Sequence, residues 1–358
     1  MTINAIHRYL AITVCTIVIA TMAGCGSVGP RTLDKDQLNY GNSVGNNWKN
    51  QMLANIVKLR YIDMPVFVDV GSIVSGYSME TQVSGRLGFS DSFTGGDSQG
   101  LGAGGKFTDR PTITYMPKTG DDYLRSLLAP VQPKNLLALV QAGYSAELLF
   151  TWSVEAINGV QNYSGIARTR VEADPEFYEL AGLMSEMQAL GAIAWEFDTD
   201  PATGHDVLLV LRHEDISDAI RAKRTRIAEI MGLDIDTHKF RVVYAPTRVS
   251  RDTLSLQTRS VLQTLSAMAG FVDVPAELAN QAVPGFKLQG ELARPFHVLS
   301  GKDRPDESFA AIKYRDHWYW IENTDMASKR VFTLMLFLTT LTNKASDSTG
   351  PVLTIPTG

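Results

Sequence analysis

Cys25 is the residue whose position most clearly indicates chemistry. It closes Met22-Ala23-Gly24-Cys25 directly after an apolar run that begins at Tyr9. A charged start, an apolar stretch of about a dozen residues and small residues before a cleavage point are typical of a secretory signal peptide. Cleavage before Cys25 would place its thiol on the first residue of the mature chain, where it can accept a lipid. The apolar run is shorter than the roughly 20 residues that span a bilayer.

The tetrapeptide resembles the lipobox of bacterial lipoproteins cut by signal peptidase II, with Met22 where that family usually has Leu. The resemblance implies that Ala23 and Gly24 precede the cut and that Cys25 is diacylated, which gives stable anchoring in a membrane. Gly26 and Ser27 stand where Asp commonly signals inner-membrane retention. The resemblance therefore implies an outer-membrane lipoprotein, and we expect it to face the periplasm.

Composition limits the classes of function. Even without residues 1–24 the chain is long enough for one large or two ordinary domains. A formal net charge of −5 does not favour nucleic-acid binding. Cys15 lies in the apolar run and Cys25 would carry lipid, so we expect a mature fold without a disulfide, a thiol nucleophile or a cysteine-based metal site.

Two short motifs match patterns of functional sites but lack their context. Gly41-Asn42-Ser43-Val44-Gly45 matches the serine-hydrolase pattern G-x-S-x-G, yet the polar residues before it are not the buried strand that a nucleophile turn requires. Ser43 is instead predicted to cap the following helix. Gly100–Lys106 matches a phosphate loop, but Phe107 occupies the position of the Mg²⁺-binding hydroxyl. We interpret these glycines as parts of a mobile hairpin tip.

The histidines show no metal-binding spacing, so neither a metal nor a cofactor is expected. His317 lies in a predicted tight turn before Trp318-Tyr319-Trp320. His317, Trp318 and Trp320 form a possible binding surface for a carbohydrate or a protein partner, or a strand with one ring buried and the next at the rim. The basic residues of 221–226 either contact anionic lipid headgroups or form a solvated helix face.

The elements that position these residues begin with a helix from about Asn42 to Tyr61, stopped by Pro65. Apolar and polar residues then alternate from Ile73 to Phe89 and again from Leu101 to Tyr115, which predicts a long amphipathic β-hairpin. Both arms are long enough to span a membrane. The same alternation is typical of an antiparallel sheet packed on a helix, so both arrangements remain open.

Residues 119–160 are predicted to form short helices, and the polar stretch 162–174 is the candidate domain boundary. The predicted division is a signal peptide (1–24), a lipid-anchored tether (25–38), a helix with the long hairpin and further helices (39–165), and an α+β domain (166–358). In the last segment we expect helices near 175–190, 256–271 and 326–341 and one ending near 231, with strands at 192–197, 206–211, 240–244, 296–299, 310–314, 318–321 and 352–355. The fold class is α+β, with mixed helices and mainly antiparallel sheet.

Phe309–Asn323 and Pro351–Gly358 resemble segments of uncharacterised bacterial envelope lipoproteins, a resemblance that implies no activity. With the lipobox, it favours a non-enzymatic binding or assembly role in the cell envelope. The expected partners are the membrane, through Cys25, and either further copies or another envelope protein, without nucleic acid.

Three alternatives remain open at this stage. The 73–115 hairpin would serve an oligomeric outer-membrane pore or secretion subunit, an analogy of architecture with the curli secretion channel. An envelope hydrolase would use Ser43 or His317. A carbohydrate-binding module would use Trp318 and Trp320.

Overall fold

The computed structural model describes residues 29–74, 77–88, 98–109, 112–163, 172–197, 207–285, 296–342 and 353–356. The chain divides into two units, Met1–Trp48 and Lys49–Gly358. Its helices and strands confirm the predicted α+β class. The helices are α1 (Gly29–Arg60), α2 (Asp121–Leu128), α3 (Pro133–Gln141), α4 (Ala146–Ser153), α5 (Pro175–Ala189), α6 (Asp218–Met231), α7 (Val261–Ala269), a 3₁₀ helix (Ala276–Gln281) and α8 (Met326–Thr342).

The strands form four sheets in the described residues. In chain order they are β1 (Val68–Val74), β2 (Tyr77–Gly88), β3 (Ser98–Asp109), β4 (Thr112–Pro117), β5 (Val154–Ile157), β6 (Val160–Gln161), β7 (Ile193–Phe197), β8 (Val207–Leu211), β9 (Lys239–Tyr244), β10 (Thr253–Thr258), β11 (Leu299–Gly301), β12 (Ala310–Tyr314), β13 (His317–Ile321) and β14 (Leu353–Pro356).

The largest sheet has the order β6-β5-β10-β9-β8-β7. Its β9–β10 pair is parallel and its other pairs are antiparallel. Alternate residues of β8 are buried, as expected for a strand with one face on the core. Helix α3 packs on β7 and β9, and α5 packs on β7 and α4. The strongly apolar α8 contributes buried residues to the same core, as the sequence predicted.

Three local predictions were wrong. Residues 29–38, predicted as a flexible tether, belong to α1 from Gly29 on. The predicted helix 256–271 is β10 followed by α7, because the Ser260 side chain accepts from the Gln263 N–H and Gln263 bonds back to Ser260, a capping box that starts the helix only there. The end of the predicted helical region 119–160 is the hairpin β5–β6.

That hairpin turns at Asn158-Gly159, where φ is +49° and +91°. Positive φ at both central residues defines the type I′ turn that joins two antiparallel strands, and Asn-Gly is its preferred sequence. The predicted boundary between 165 and 166 lies in 164–171, outside the described residues, and stays a prediction. Strands from both sides of it, however, share the largest sheet.

In the described residues the long hairpin consists of two antiparallel strand pairs. Strand β1 pairs with β4, and β2 then pairs with β3 over 12 residue pairs from Tyr77–Asp109 to Gly88–Ser98. The register places Met79 opposite Phe107 and Val83 opposite Ala103, so the apolar positions of both arms share one face. Because side chains alternate with period two, the polar positions share the other face.

Candidate functional site

The predicted lipidation site lies outside the described residues. Met22, Ala23, Gly24 and Cys25 belong to residues 1–28, so the lipobox stays a prediction. Among the helices that the structure describes, none combines the length and apolar composition needed to cross a bilayer.

Strand β13 separates the residues that the sequence grouped as a binding surface. His317 is buried, together with Tyr319, whereas Trp318 and Trp320 alternate with them and are half-buried on the opposite face. The Arg304 guanidinium stacks on Trp318, 5.4 Å from the ring centroid. Two tryptophans thus share one face of the sheet β11-β13-β12, and His317 is not part of that face.

Both ring nitrogens of His317 are engaged. Its Nδ1 lies 3.0 Å from the Arg315 carbonyl oxygen and its Nε2 lies 2.9 Å from Glu277 Oε1. The pKa of Glu277 lies below its ordinary value, mainly because its own backbone N–H donates to it and secondly because of the hydrogen bond with His317. Both ring nitrogens of His317 are therefore in contact with groups of the fold.

Next to His317, a polar cluster joins the end of α1 to the β12–β13 turn. Arg315 Nη2 donates to Asp63 Oδ2 at 2.9 Å, and the Tyr314 hydroxyl donates to the same oxygen. The hydroxyls of Tyr61 and Tyr319 lie 2.6 Å apart. The Tyr314 bond is the main cause, and the Arg315 bond a smaller one, of a pKa of Asp63 below its usual range. Burial, followed by the bond to Tyr61, raises the pKa of Tyr319.

Neither motif that resembled a catalytic site has the required backbone. Ser43 lies inside α1, so it neither caps a helix start, as predicted, nor occupies a turn between a strand and a helix. Gly100, Gly102 and Gly105 lie in β3, paired with β2. They are therefore strand residues. The prediction that they belong to a mobile hairpin tip was wrong.

Three of the four basic side chains of α6, Arg221, Lys223 and Arg226, form ion pairs with carboxylates. The Arg226 guanidinium binds both carboxylate oxygens of Glu179, at 2.7 and 2.9 Å, and Lys223 binds Glu186. Arg224 donates to the backbone carbonyls of Ile235 and Thr237. This face of α6 is therefore a charge-paired surface that packs on α5.

The ribbon β2–β3 stands apart from the rest of the described chain. These strands form a two-stranded sheet of their own and, among the described elements, make their substantial contacts with each other. Its 12 residue pairs extend about 40 Å at about 3.4 Å per residue. Within the described residues both outer edges carry unpaired backbone groups, and such edges are templates for pairing with another chain.

One cavity of the described residues lies apart from the two candidate catalytic residues, Ser43 and His317. A shallow cavity of about 300 Å³ lies between α6 and the loop that carries Arg248 and Arg251, and neither Ser43 nor His317 lines it. Among the described residues, no group of three or more His, Cys, Asp or Glu side chains is arranged to hold a metal ion. In comparisons with protein-family models, curated proteins and solved structures, none matches this chain.

Proposed function

We propose that this chain is a lipid-anchored, non-enzymatic assembly component of the bacterial cell envelope. We further propose that it associates with other chains through the β2–β3 ribbon. The observation that carries this proposal is the ribbon itself, whose two edges of 12 residues each pair with no other described strand and whose apolar positions share one face. An isolated two-stranded ribbon is marginally stable in water. Pairing of its edges with another chain would satisfy the backbone groups that it now exposes.

The non-enzymatic part of the proposal is supported by the surroundings of His317 and Ser43. His317 is held by Glu277 and by the Arg315 carbonyl. Ser43 lies within a helix. A nucleophilic hydrolase needs a base within hydrogen-bond reach of an accessible nucleophile. Loss of a cellular phenotype in His317→Ala or Ser43→Ala, with normal folding and membrane targeting, would contradict this part.

The assembly role is tested by particle size. The full-length protein is extracted in mild detergent and its mass is compared with that of a variant in which residues 77–109 are replaced by a short Gly-Ser loop. We expect the unmodified protein to be oligomeric and the loop variant to be monomeric, with unchanged helical circular dichroism. A monomeric unmodified protein would contradict the proposal.

The anchor is tested separately. Mature protein carrying Cys25→Ser should leave the membrane fraction, because a diacyl anchor requires the thiol. If the protein still partitions with outer membranes, the lipoprotein assignment is wrong even if the ribbon assembles.

A second candidate function is an oligomeric pore or secretion subunit, favoured by the length and register of the ribbon. A membrane-spanning strand needs about 9 to 11 residues with apolar positions on one face, and β2 and β3 have 12 each. Open edges are not tolerated in lipid, so insertion requires a closed ring of copies. Val83→Lys and Gln82→Lys place a charge on opposite faces of one strand and form a matched pair.

If the ribbon inserts, Val83→Lys should abolish vesicle permeabilisation and Gln82→Lys should preserve it, because a charge facing lipid at mid-bilayer costs about 2–4 kcal/mol. Equal effects of the two substitutions, or uniform water accessibility in a cysteine scan from Tyr77 to Leu87, would rule out insertion.

A further inference from the structure

The shallow cavity at the end of α6 has a volume of about 300 Å³ and is not used by the proposed assembly function. One side of it is formed by the last two turns of α6 and the residues that follow them. The other side is the loop 245–252 between β9 and β10, from which Arg248 and Arg251 line the cavity. This volume is at the lower end of the range for small-molecule sites. The cavity is therefore large enough for a small molecule.

The Arg248 guanidinium is fixed at the C-terminal end of α6. Its Nη1 donates to the Gly232 carbonyl at 3.2 Å. Gly232 has φ +60°, the left-handed conformation that commonly ends a helix, and a Cβ built on it would overlap the same Nη1 atom. Glycine at this position therefore leaves room for the guanidinium. A guanidinium carries five N–H donors in a planar fork, so the bond to Gly232 leaves the other donors available.

Arg251 is the second cation of the cavity, and its side chain is unpaired within the described part of the chain. Its backbone carbonyl accepts from the Asp234 N–H at 2.9 Å, which ties the loop to the segment after α6. No ion pair or side-chain hydrogen bond joins the Arg251 guanidinium to another described residue. The neighbouring Asp252 carboxylate is bonded by the Ser250 hydroxyl and lies 4.0 Å from Arg241. Arg251 is therefore free to bind an anion.

The balance of charge in the cavity is positive. Its charged lining residues are two arginines and Glu229. The Glu229 Oε2 atom lies 3.5 Å from Arg226 Nη1, so a cation that does not line the cavity partly balances this carboxylate. The C-terminal carbonyls of α6 add a partial negative charge, which the bond from Arg248 to Gly232 offsets. An anion in the cavity would therefore be attracted.

Apolar side chains form another part of the cavity wall. Ala228 and Leu233 are buried, and Ile235 is 48% exposed. Arg224 donates to the carbonyls of Ile235 and Thr237, at 2.6 and 3.2 Å, and so holds this side of the cavity in place. A molecule that fills the cavity contacts guanidinium groups and apolar side chains at the same time.

We propose that this cavity binds a small organic anion. Its oxyanion, a carboxylate or a phosphate, is bound by Arg248 and Arg251, and its apolar part contacts Leu233 and Ile235. Guanidinium groups bind both kinds of oxyanion through paired charge-assisted hydrogen bonds. The inference is independent of the proposed assembly function, because no residue of the β2–β3 ribbon lines the cavity.

Isothermal titration calorimetry of the full-length protein in non-ionic detergent tests the inference. The probes are benzoate and phenyl phosphate, each of which carries an oxyanion and an apolar ring. Inorganic phosphate has the charge alone and benzyl alcohol the ring alone, so both should bind more weakly than the tighter of the two probes. Arg251→Gln should raise the dissociation constant of that probe about tenfold or more, because a hydrogen bond between charged groups is lost. Arg221→Gln removes the same charge near the start of α6, outside the cavity, and should leave the constant unchanged.

A matched pair of glycine substitutions tests the role of Arg248. Gly232→Ala places a Cβ where Arg248 Nη1 lies, whereas Gly191→Ala, at φ +62°, adds a Cβ that meets no atom within 4 Å. Both substitutions put an L-residue in the left-handed region and should lower the urea midpoint. Only Gly232→Ala should also weaken binding of the probe, because it displaces the guanidinium.

Three outcomes would overturn the inference. Equal weakening by Arg251→Gln and Arg221→Gln would mean a general charge effect. Equal affinity for inorganic phosphate and the ring-bearing probes would mean that the apolar wall contributes nothing. Absence of saturable binding to the unmodified protein, by calorimetry and by ligand-observed NMR, would mean that the cavity is not a site for such anions. The particle size in detergent should be the same for all these variants, so each of these failures would leave the assembly proposal intact.

Discussion

Asn162 and Arg259 both donate hydrogen bonds to the C-terminal end of α4, so their contributions to the unfolding free energy should be coupled. The Asn162 side chain is fully buried. Its Nδ2 donates to the carbonyl oxygens of Thr151 at 2.8 Å and Val154 at 2.7 Å, and its Oδ1 accepts from the Tyr163 N–H at 2.8 Å. The amide thus satisfies backbone groups where the helix passes into β5.

Arg259 is the second residue, and it binds the same helix end. Its Nη1 donates to the carbonyls of Thr151 at 3.3 Å and Trp152 at 3.2 Å, its Nη2 donates to the Tyr163 carbonyl, and the guanidinium stacks on the Tyr163 ring. A cation is stabilised at the C-terminal carbonyls of a helix by the macrodipole. The Thr151 carbonyl is therefore an acceptor that Asn162 and Arg259 share.

Because both side chains donate to the Thr151 carbonyl, the losses of unfolding free energy caused by their substitutions should not be additive. Asn162→Leu leaves the Thr151 carbonyl bonded to Arg259, and Arg259→Met leaves it bonded to Asn162. Each single substitution removes a partner from two other backbone groups, at about 1–3 kcal/mol for each group left unsatisfied; the Trp152 carbonyl keeps the Thr264 hydroxyl, 3.5 Å away, when Arg259 is replaced. Only the double variant leaves the Thr151 carbonyl without either donor. Its loss of unfolding free energy should therefore exceed the sum of the two single losses by about 1–3 kcal/mol.

Urea denaturation measures this coupling, with protein that lacks residues 1–24 and carries Cys25→Ser as the common background and tryptophan fluorescence as the signal. Trimethylamine N-oxide in all samples extends the folded range if the double variant is too unstable, because this osmolyte strengthens burial without altering the contacts. Losses that add within about 0.5 kcal/mol, or a double variant more stable than the sum predicts, would refute the shared-acceptor reasoning.

Three smaller predictions concern the turn cluster, the hairpin β5–β6 and the surface of α6. Because the Tyr314 bond lowers the pKa of Asp63, the stability difference between unmodified protein and Asp63→Asn should be present at pH 7, begin to fall near the unfolded-state pKa of about 4, and be lost only as the pH falls through the lower pKa of the folded state. It should stay below about 1 kcal/mol since the carboxylate is partly exposed, and a difference that stays constant on acidification from about pH 5 to about pH 2 would contradict it. Gly159→Ala should lower the urea midpoint by an amount equivalent to about 1 kcal/mol, through the φ of +91° alone, since an added Cβ meets no atom within 4 Å. Arg226→Gln should lower the urea midpoint slightly at low salt and not measurably at high salt, because the pair with Glu179 is exposed and is screened by ions.

The sequence predicted the structure best where the signal for a strand or a turn lies in neighbouring residues. Along the ribbon, alternation indicates both the strand state and the face of each position, and the observed pairing of Met79 with Phe107 agrees with that assignment of faces. A tight turn between Tyr314 and Trp318 was also predicted from neighbouring residues, but it lies at Arg315-Asp316, and His317, which the sequence placed in the turn, is the first residue of β13. The Asn-Gly signal at Asn158 was equally local, but the apolar residues before it were interpreted as a helix.

The arrangements that the sequence did not predict depend on residues far apart in the chain. His317 binds Glu277, 40 residues away, and the Tyr61–Tyr319 bond spans 258 residues. Strands β9 and β10 pair in parallel across a connection whose direction no local pattern encodes. Fold class follows from the order of elements, whereas the partners of a buried polar side chain follow from sheet order, which tertiary packing decides.

Ile62 has φ +60°, and contacts between distant parts of the chain explain how the fold tolerates this backbone in the loop from Tyr61 to Val66. A left-handed backbone costs an L-residue about 1–2 kcal/mol, which is a large share of the 5–15 kcal/mol that holds a domain folded. Two hydrogen bonds of the neighbouring residues offset this cost, because the Tyr61 hydroxyl binds Tyr319 and the Asp63 carboxylate binds Arg315. The same bonds tie the loop to β13 and to the β12–β13 turn, which are formed by residues more than 250 positions later in the chain.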